Sequence, residues 1–170
     1  ATLGDHTFTV DAADQAGNTA TVTHTYTVAL ARPDGRIQRG ATRLYGNDIY
    51  NTLTGQTATG SARPGATVTY YASLQNDAPF ADTLTLRGQG STTRFTLTYR
   101  NPAGQNITTA VRNGTYTTPE LATGATHRIK ITVTTRPTAP TGASTTRTLT
   151  ATSTTHPTRT DTVRTTTRRT

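Results

Sequence analysis

The chain has no cysteine, no methionine and no tryptophan, and Lys130 is its single lysine. Without cysteine there are no disulfides, no thiolate metal sites and no cysteine nucleophile. Acidic residues are also scarce, 9 against 17 basic ones, so the net charge is +8 and is almost all arginine. Aromatic residues make up 6% and hydrophobic residues 31% of the 170 positions, a thin supply for a globular core. No apolar run approaches the length of a membrane span or of a signal-peptide core. If the protein is secreted, its leader is expected upstream or already removed. No apolar i, i+3, i+4, i+7 stripe of useful length occurs, which predicts almost no helix. The sequence also carries no G-x-S-x-G, no H-E-x-x-H and no P-loop, and no carboxylate pair has a convincing acid and base role. The expectation is therefore a protein that is not an enzyme and needs no cofactor.

Threonine is abundant, at 47 of 170 residues. High polarity with few aromatics is a signature of disorder, but the spacing here argues otherwise. Threonine alternates with apolar residues, and β-branched residues favour strands. In residues 19–30, Thr19, Thr21, Thr23, Thr25 and Thr27 point one way, while Ala20, Val22, His24, Tyr26, Val28 and Leu30 point the other. Strict period two marks a half-buried strand. His6, Phe8 and Val10 form a matching short face. Between them lies DAADQAGN, rich in turn formers, with Gly17-Asn18 suited to positive φ. Residues 1–30 thus read as a β-hairpin, with Val10 opposite Ala20, Phe8 opposite Val22 and His6 opposite His24. Its apolar face (Phe8, Val10, Val22, Tyr26, Val28) needs a partner, because an isolated hairpin is marginal in water.

Pro33 and Asp34-Gly35 make residues 31–36 read as a linker. Residues 37–170 then read as a second unit of short strands with turn signals every 8 to 12 residues, the pattern of a sandwich. The inward positions are Val68, Tyr70, Ala72 and Leu74; Leu84 and Leu86; Phe95, Leu97 and Tyr99; Ile129, Ile131 and Val133; Leu149 and Ala151; and Val163. A strand is expected around 107–111, followed by a hairpin at Asn113-Gly114. The predicted fold is all-β: an antiparallel β-sandwich preceded by a β-hairpin, with hydroxyl-covered outer faces.

Residues with chemical potential are few. His6 and His24, side by side on one hairpin face, could hold a metal or sense pH, and loop carboxylates Asp11 and Asp14 could contribute to a calcium site. Each has a plainer reading, as a polar end to an apolar face and as turn formers. Lys130 has the parity opposite to Ile129 and Ile131, so it points outward and away from any core cross-link. A Thr–Gln ester is conceivable but cannot be placed. Asn106-Ile107-Thr108 and Asn113-Gly114-Thr115 match the N-glycosylation sequon. The basic surface Arg159, Arg164, Arg168 and Arg169 could meet an anionic wall polymer. It has no interleaved aromatic, which makes nucleic acid an unlikely partner. For a glycan platform the candidates are Tyr45, Tyr50 and Tyr71, since Tyr70 and Tyr99 read as core.

The segments RPGATVTYYASLQNDAPFADTLTL, RFTLTYR, ELATGATHRIKITVTTRPTAPTGASTTRTLTATST and DTVRTTT follow a familiar order. Residues 60–167 resemble the bacterial Ig-like domains associated with alpha-galactosidases and the cell-adhesion-related bacterial Ig-like domains. LGDHTFTVDAADQAGNTATVTHTYTV resembles the last two strands of another bacterial Ig-like repeat. The resemblance implies a non-catalytic structural or adhesion module of a secreted or cell-surface protein. Its expected partners are neighbouring Ig-like domains or identical subunits, with cell-wall or extracellular polyanions as a further class. Two uses of the hairpin remain open. It is the tail of an upstream Ig-like repeat, or it is donated between molecules into a neighbour's sheet, as in a filament.

Overall fold

Period-two alternation becomes strand, with one exception around 107–111, and the structure, a computed structural model, describes residues 2–170. The chain divides into two units, 1–30 and 31–170. In the first, β1 (Gly4–Ala13) pairs antiparallel with β2 (Thr19–Val28). The register differs from the expected one by two residues: Val10 faces Val22, Phe8 faces His24 and His6 faces Tyr26. The cause is a tighter turn. Asp14 Oδ1 accepts the N–H groups of Ala16 and Asn18 at 2.9 Å each, Asn18 Nδ2 donates to Asp14 Oδ2 at 2.7 Å, and Gly17 takes φ 84°. Asp11 to Ala13, read from sequence as turn, are therefore strand. The shift by an even number keeps every side chain on its expected face.

The second unit is an Ig-like β-sandwich. One sheet has the order β4 (Thr57–Ala62), β11 (Thr160–Arg169), β10 (Ser144–Ser153), β6 (Leu84–Gly88) and β8 (Tyr116–Thr117). The other has β3 (Pro33–Arg39), β5 (Thr67–Asn76), β9 (Thr126–Thr135) and β7 (Phe95–Arg100). All pairs are antiparallel except β4 with β11, which is parallel.

The expected linker is instead β3, and Pro33, Asp34 and Gly35 are buried. Pro33 is tolerated because it is the first residue of an edge strand, where a missing N–H costs no ladder bond. Around 107–111 the expected strand is replaced by a helix, α1 (Thr108–Asn113). Asn106 Oδ1 accepts both Thr108 N–H and Thr108 Oγ1–H, at 3.0 and 2.7 Å. Gly114, in the left-handed region at φ 72°, stops the helix instead of opening a hairpin. Val111 anchors it in the core at 0% exposure.

Every inward position read from the alternation is buried, and Ile37, Ala58 and Val111 join them. Tyr70 ties the two sheets together: its hydroxyl donates to the Thr166 carbonyl at 2.9 Å and lies 2.8 Å from Thr167 Oγ1. Outer faces carry cross-strand threonine pairs, Thr67–Thr134, Thr98–Thr132, Thr146–Thr166 and Thr150–Thr162, each hydroxyl bonded to the one opposite. Such pairs add roughly 0.2–1 kcal/mol each and explain how a chain with little apolar residue keeps its sheets in register.

The first and last strands of the sandwich run the same way. Gly35 N–H reaches Asp161 at 2.7 Å, and a Cβ on Gly35 would lie 3.0 Å from Val163 Cγ1. At the far end, Arg39 pairs with Tyr70, a Cβ on Gly60 would lie 3.0 Å from Arg39 Cδ, and Gly60 pairs with Thr167. The start of β3 thus lies against the start of β11, and their ends lie together. The chain enters at one pole and leaves at the other.

Gly46 lets the loop after β3 close onto it. It has φ 106°, and a Cβ there would lie 2.6 Å from the Gly35 carbonyl oxygen. Gly46→Ala is expected to lower stability by about 1–3 kcal/mol through backbone strain and overpacking. Urea denaturation checks this. A loss no larger than that of Gly65→Ala, where a Cβ meets nothing within 4 Å, would contradict the close fit.

Candidate functional site

The hairpin places its expected assembly face together. Phe8, Val10 and Val22 are each 52% exposed and Tyr26 is 48% exposed, while Val28 is half-buried. The rings on this face are stacked in rows: His6 on Tyr26 at 5.4 Å and Phe8 on His24 at 5.2 Å between centroids. On the opposite face the hydroxyls of Thr21 and Thr27 donate to Asp11 and Asp5 at 2.6 Å, and Thr9 meets Thr23 at 3.2 Å.

This register corrects the metal expectation. His6 and His24 are diagonal, each opposite an aromatic ring rather than opposite each other. His6 Nε2 is held 2.7 Å from the Thr2 carbonyl oxygen. Asp11 and Asp14 also separate, the first onto the threonine face and the second into the turn. The Asn18 side-chain hydrogen bond, with backbone N–H groups, holds the Asp14 carboxyl below its ordinary pKa. Among the described residues no group of three His, Cys, Asp or Glu side chains is placed to hold a metal ion.

The four arginines of the expected basic surface fall in three places. Arg159 is in the turn before β11. Arg164 and Arg168 share the outward face of β11, four residues or roughly 13 Å apart. Arg169 has the opposite parity and donates to Thr141 Oγ1 at 2.6 Å, while Arg164 donates to Thr57 Oγ1 at 2.9 Å. Each of the three tyrosines considered as a platform has an arginine over its ring, and Tyr45 stays 39% exposed. Arg43, Arg32 and Arg128 lie over the rings of Tyr45, Tyr50 and Tyr71, at 5.5, 4.2 and 3.9 Å from the centroids.

The strongest local chemistry is a buried acidic cluster at the entry pole. Asp34 lies on the outer face of β3 beneath the loop 46–51, 1% exposed, and neither carboxylate oxygen has a hydrogen-bond donor. Arg36 Nε stands 3.6 Å away. Beside it, the Tyr50 hydroxyl donates to Asp77 Oδ2 at 2.6 Å and lies 3.2 Å from Asp48 Oδ1. Burial pushes the Asp34 carboxyl up to about 7; the Asp77 charge adds to the shift and Arg36 opposes it. On the inner side, Asp161 is 2% exposed. Its Oδ2 accepts the Gly35 N–H at 2.7 Å and Gln56 Nε2 at 2.9 Å. Burial raises this carboxyl too, against the Gly35, Thr162, Gln56 and Asn51 N–H groups that stabilise its charge. Gln56, 0% exposed, also donates to the Ile49 carbonyl. Asp161 and Gln56 thus fasten β11, β3 and the loop to one another. Asp161 has the parity of inward Val163, so the sequence did carry a signal for it. Asp34, inside a Pro-Asp-Gly stretch, carried none.

No protein-family model and no curated protein matches the chain. Solved structures do resemble it. The N-terminal domain of PorA aligns with TM-score 0.50 at 11% identity, over 79% of this chain and 96% of that one. A family 123 glycoside hydrolase from Clostridium perfringens aligns with TM-score 0.47 at 8% identity, over 81% of this chain. The alignment spans 27% of that enzyme. PapD-like domain 7 of human CEP192 gives TM-score 0.41 at 12% identity, over 68% of this chain and 81% of that domain. Identities this low speak to fold alone. No helix among the described residues is long and apolar enough to cross a membrane.

Proposed function

We propose that the chain is a non-catalytic structural module of a secreted or cell-surface protein, a β-sandwich spacer that carries tension from one pole to the other. The observation behind this reading is the parallel course of β3 and β11, with entry and exit at opposite ends. A pull between residues 31 and 170 acts along both strands, in opposite directions. It therefore loads the β4–β11 and β3–β5 ladders and the Asp161 fastening in shear, many bonds at once. The resemblance of residues 60–167 to bacterial Ig-like modules supports the same reading, with the hairpin as a closing strand pair for another β-sandwich unit.

Single-molecule extension from the two ends of 31–170 tests it. The expected trace is one cooperative rupture that releases roughly 500 Å of chain at about 3.6 Å per residue. Stepwise yielding at low force would sink the proposal.

A further inference from the structure

A groove of about 370 Å³ opens between residues 92–95 and the start of β10, at the pole where β9 and β11 end. Its size is that of a small-ligand cleft. We propose that this groove, walled by Arg94 and Arg147, binds a tetrahedral oxyanion, a phosphate or sulfate group carried on a polymer. Such binding is independent of the tension reading.

The groove is cationic, and nothing in the protein answers its charge. Arg147 is half-buried, with the parity of inward Leu149, and its guanidinium donates to the Thr146 carbonyl at 2.8 Å. Among the described residues the only guanidinium–carboxylate pair is Arg36 with Asp34. The Arg136 N–H bonds to the Arg94 carbonyl, and Arg168 stands opposite Ser144, which brings two more arginines to the same pole. The acids of 31–170 lie at the other pole. Asp34 starts β3, Asp161 starts β11, and Asp77 and Asp48 meet through Tyr50. Asp82 bridges to Leu121 just before β6, and Glu120 adjoins it. A half-buried charge without a counterion is costly, and an anion in the groove removes that cost.

Both walls also present neutral donors. Thr92 Oγ1 accepts the N–H groups of Arg94 and Phe95 at 3.2 and 3.0 Å, which leaves its hydroxyl proton to donate. On the other wall, β6 ends at Gly88, opposite Leu149, and Gln89 N–H makes the last bond of that ladder, to the Thr148 carbonyl. The register turns the N–H groups of Ser144 and Thr146 to the same side, past the end of β6, where the groove lies. A carboxylate offers two acceptor oxygens. Donors on both walls call for an anion that accepts on several sides at once, as phosphate and sulfate do.

Amide NMR titration of the full chain at pH 7 tests this, with inorganic pyrophosphate as the probe up to roughly 20 mM. The expected result is saturable shifts centred on residues 92–95 and 144–147. Arg94→Gln and Arg147→Gln should each weaken binding about tenfold, through loss of a charge-assisted hydrogen bond. Arg159→Gln makes the same change of net charge in the turn before β11, at the other pole, and should leave binding within about twofold. Poly(glycerol phosphate) and dextran sulfate then separate the two sources, by which of them binds at the lower concentration. No saturable shift, shifts centred elsewhere, equal weakening by Arg159→Gln, or polyglutamate binding as tightly as either polymer would each overturn the inference. If Arg147→Gln disturbs the fold, Arg94→Gln, at an exposed position, still decides.

Discussion

Asp161→Ala is expected to lower stability by about 3–5 kcal/mol, the range for breaking a buried, hydrogen-bonded charged group. The Asp161 carboxylate is 2% exposed and accepts the Gly35 N–H and the Gln56 amide. Truncation strands both donors between the sheets, and an unsatisfied buried donor costs about 1–3 kcal/mol. It also leaves a cavity beside Val163. Asp161→Asn retains one acceptor oxygen and removes a charge whose burial is unfavourable, so its loss should be markedly smaller. The midpoint of thermal unfolding should fall by roughly 10 °C or more for the alanine variant. A shift of a degree or two would mean that the contact between β3 and β11 does not depend on this residue.

Asp34→Asn is expected to do the reverse and stabilise the fold at pH 8, by about 1–3 kcal/mol. The sign follows from the proton inventory. The folded carboxyl titrates at about 7 against an ordinary 3.8. Between these values the folded state holds the proton more tightly than the unfolded state does. Stability from this group is full below pH 4, falls as pH rises to 7, and stays at its lower level above that. Asparagine removes this slope, so the two proteins should be equally stable near pH 4 and diverge toward pH 8. Against this gain, Arg36 gives up an ion pair of 3.6 Å. Urea titrations at pH 4, 6 and 8 check the divergence. A variant less stable than the parent at pH 8 would show that the Arg36 ion pair outweighs the burial of charge.

The inner faces of the sandwich were legible because threonine and apolar residues alternate strictly. Val68–Leu74, Phe95–Tyr99 and Ile129–Val133 all lie where parity puts them. What escaped the sequence did so for local reasons. The hairpin register depends on whether Asp11 to Ala13 bend or extend, and Asp14 settles that by capping the turn itself. Pro33-Asp34-Gly35 has turn chemistry, yet the edge of a sheet accepts a proline as a first residue, and Gly35 is needed for the close approach of Val163. At six residues α1 is too short for a helical period, although Ile107 and Val111 stand four apart. The candidate histidines were placed on the correct face but one pair out of register. The acidic cluster depends on a loop folding over β3, which no local pattern announces.

Resistance to pulling should depend on the direction of the pull. Because the chain has no cysteine, single handles can be placed at will. Pulled between residues 31 and 170, the sandwich should rupture at a force several-fold higher than when pulled between Thr170 and a cysteine at Thr42. Thr42 follows β3 at the pole where β11 ends, so the second geometry peels strands bond by bond. Equal forces in the two directions, or a weaker response end to end, would contradict a module built to carry tension along its strands.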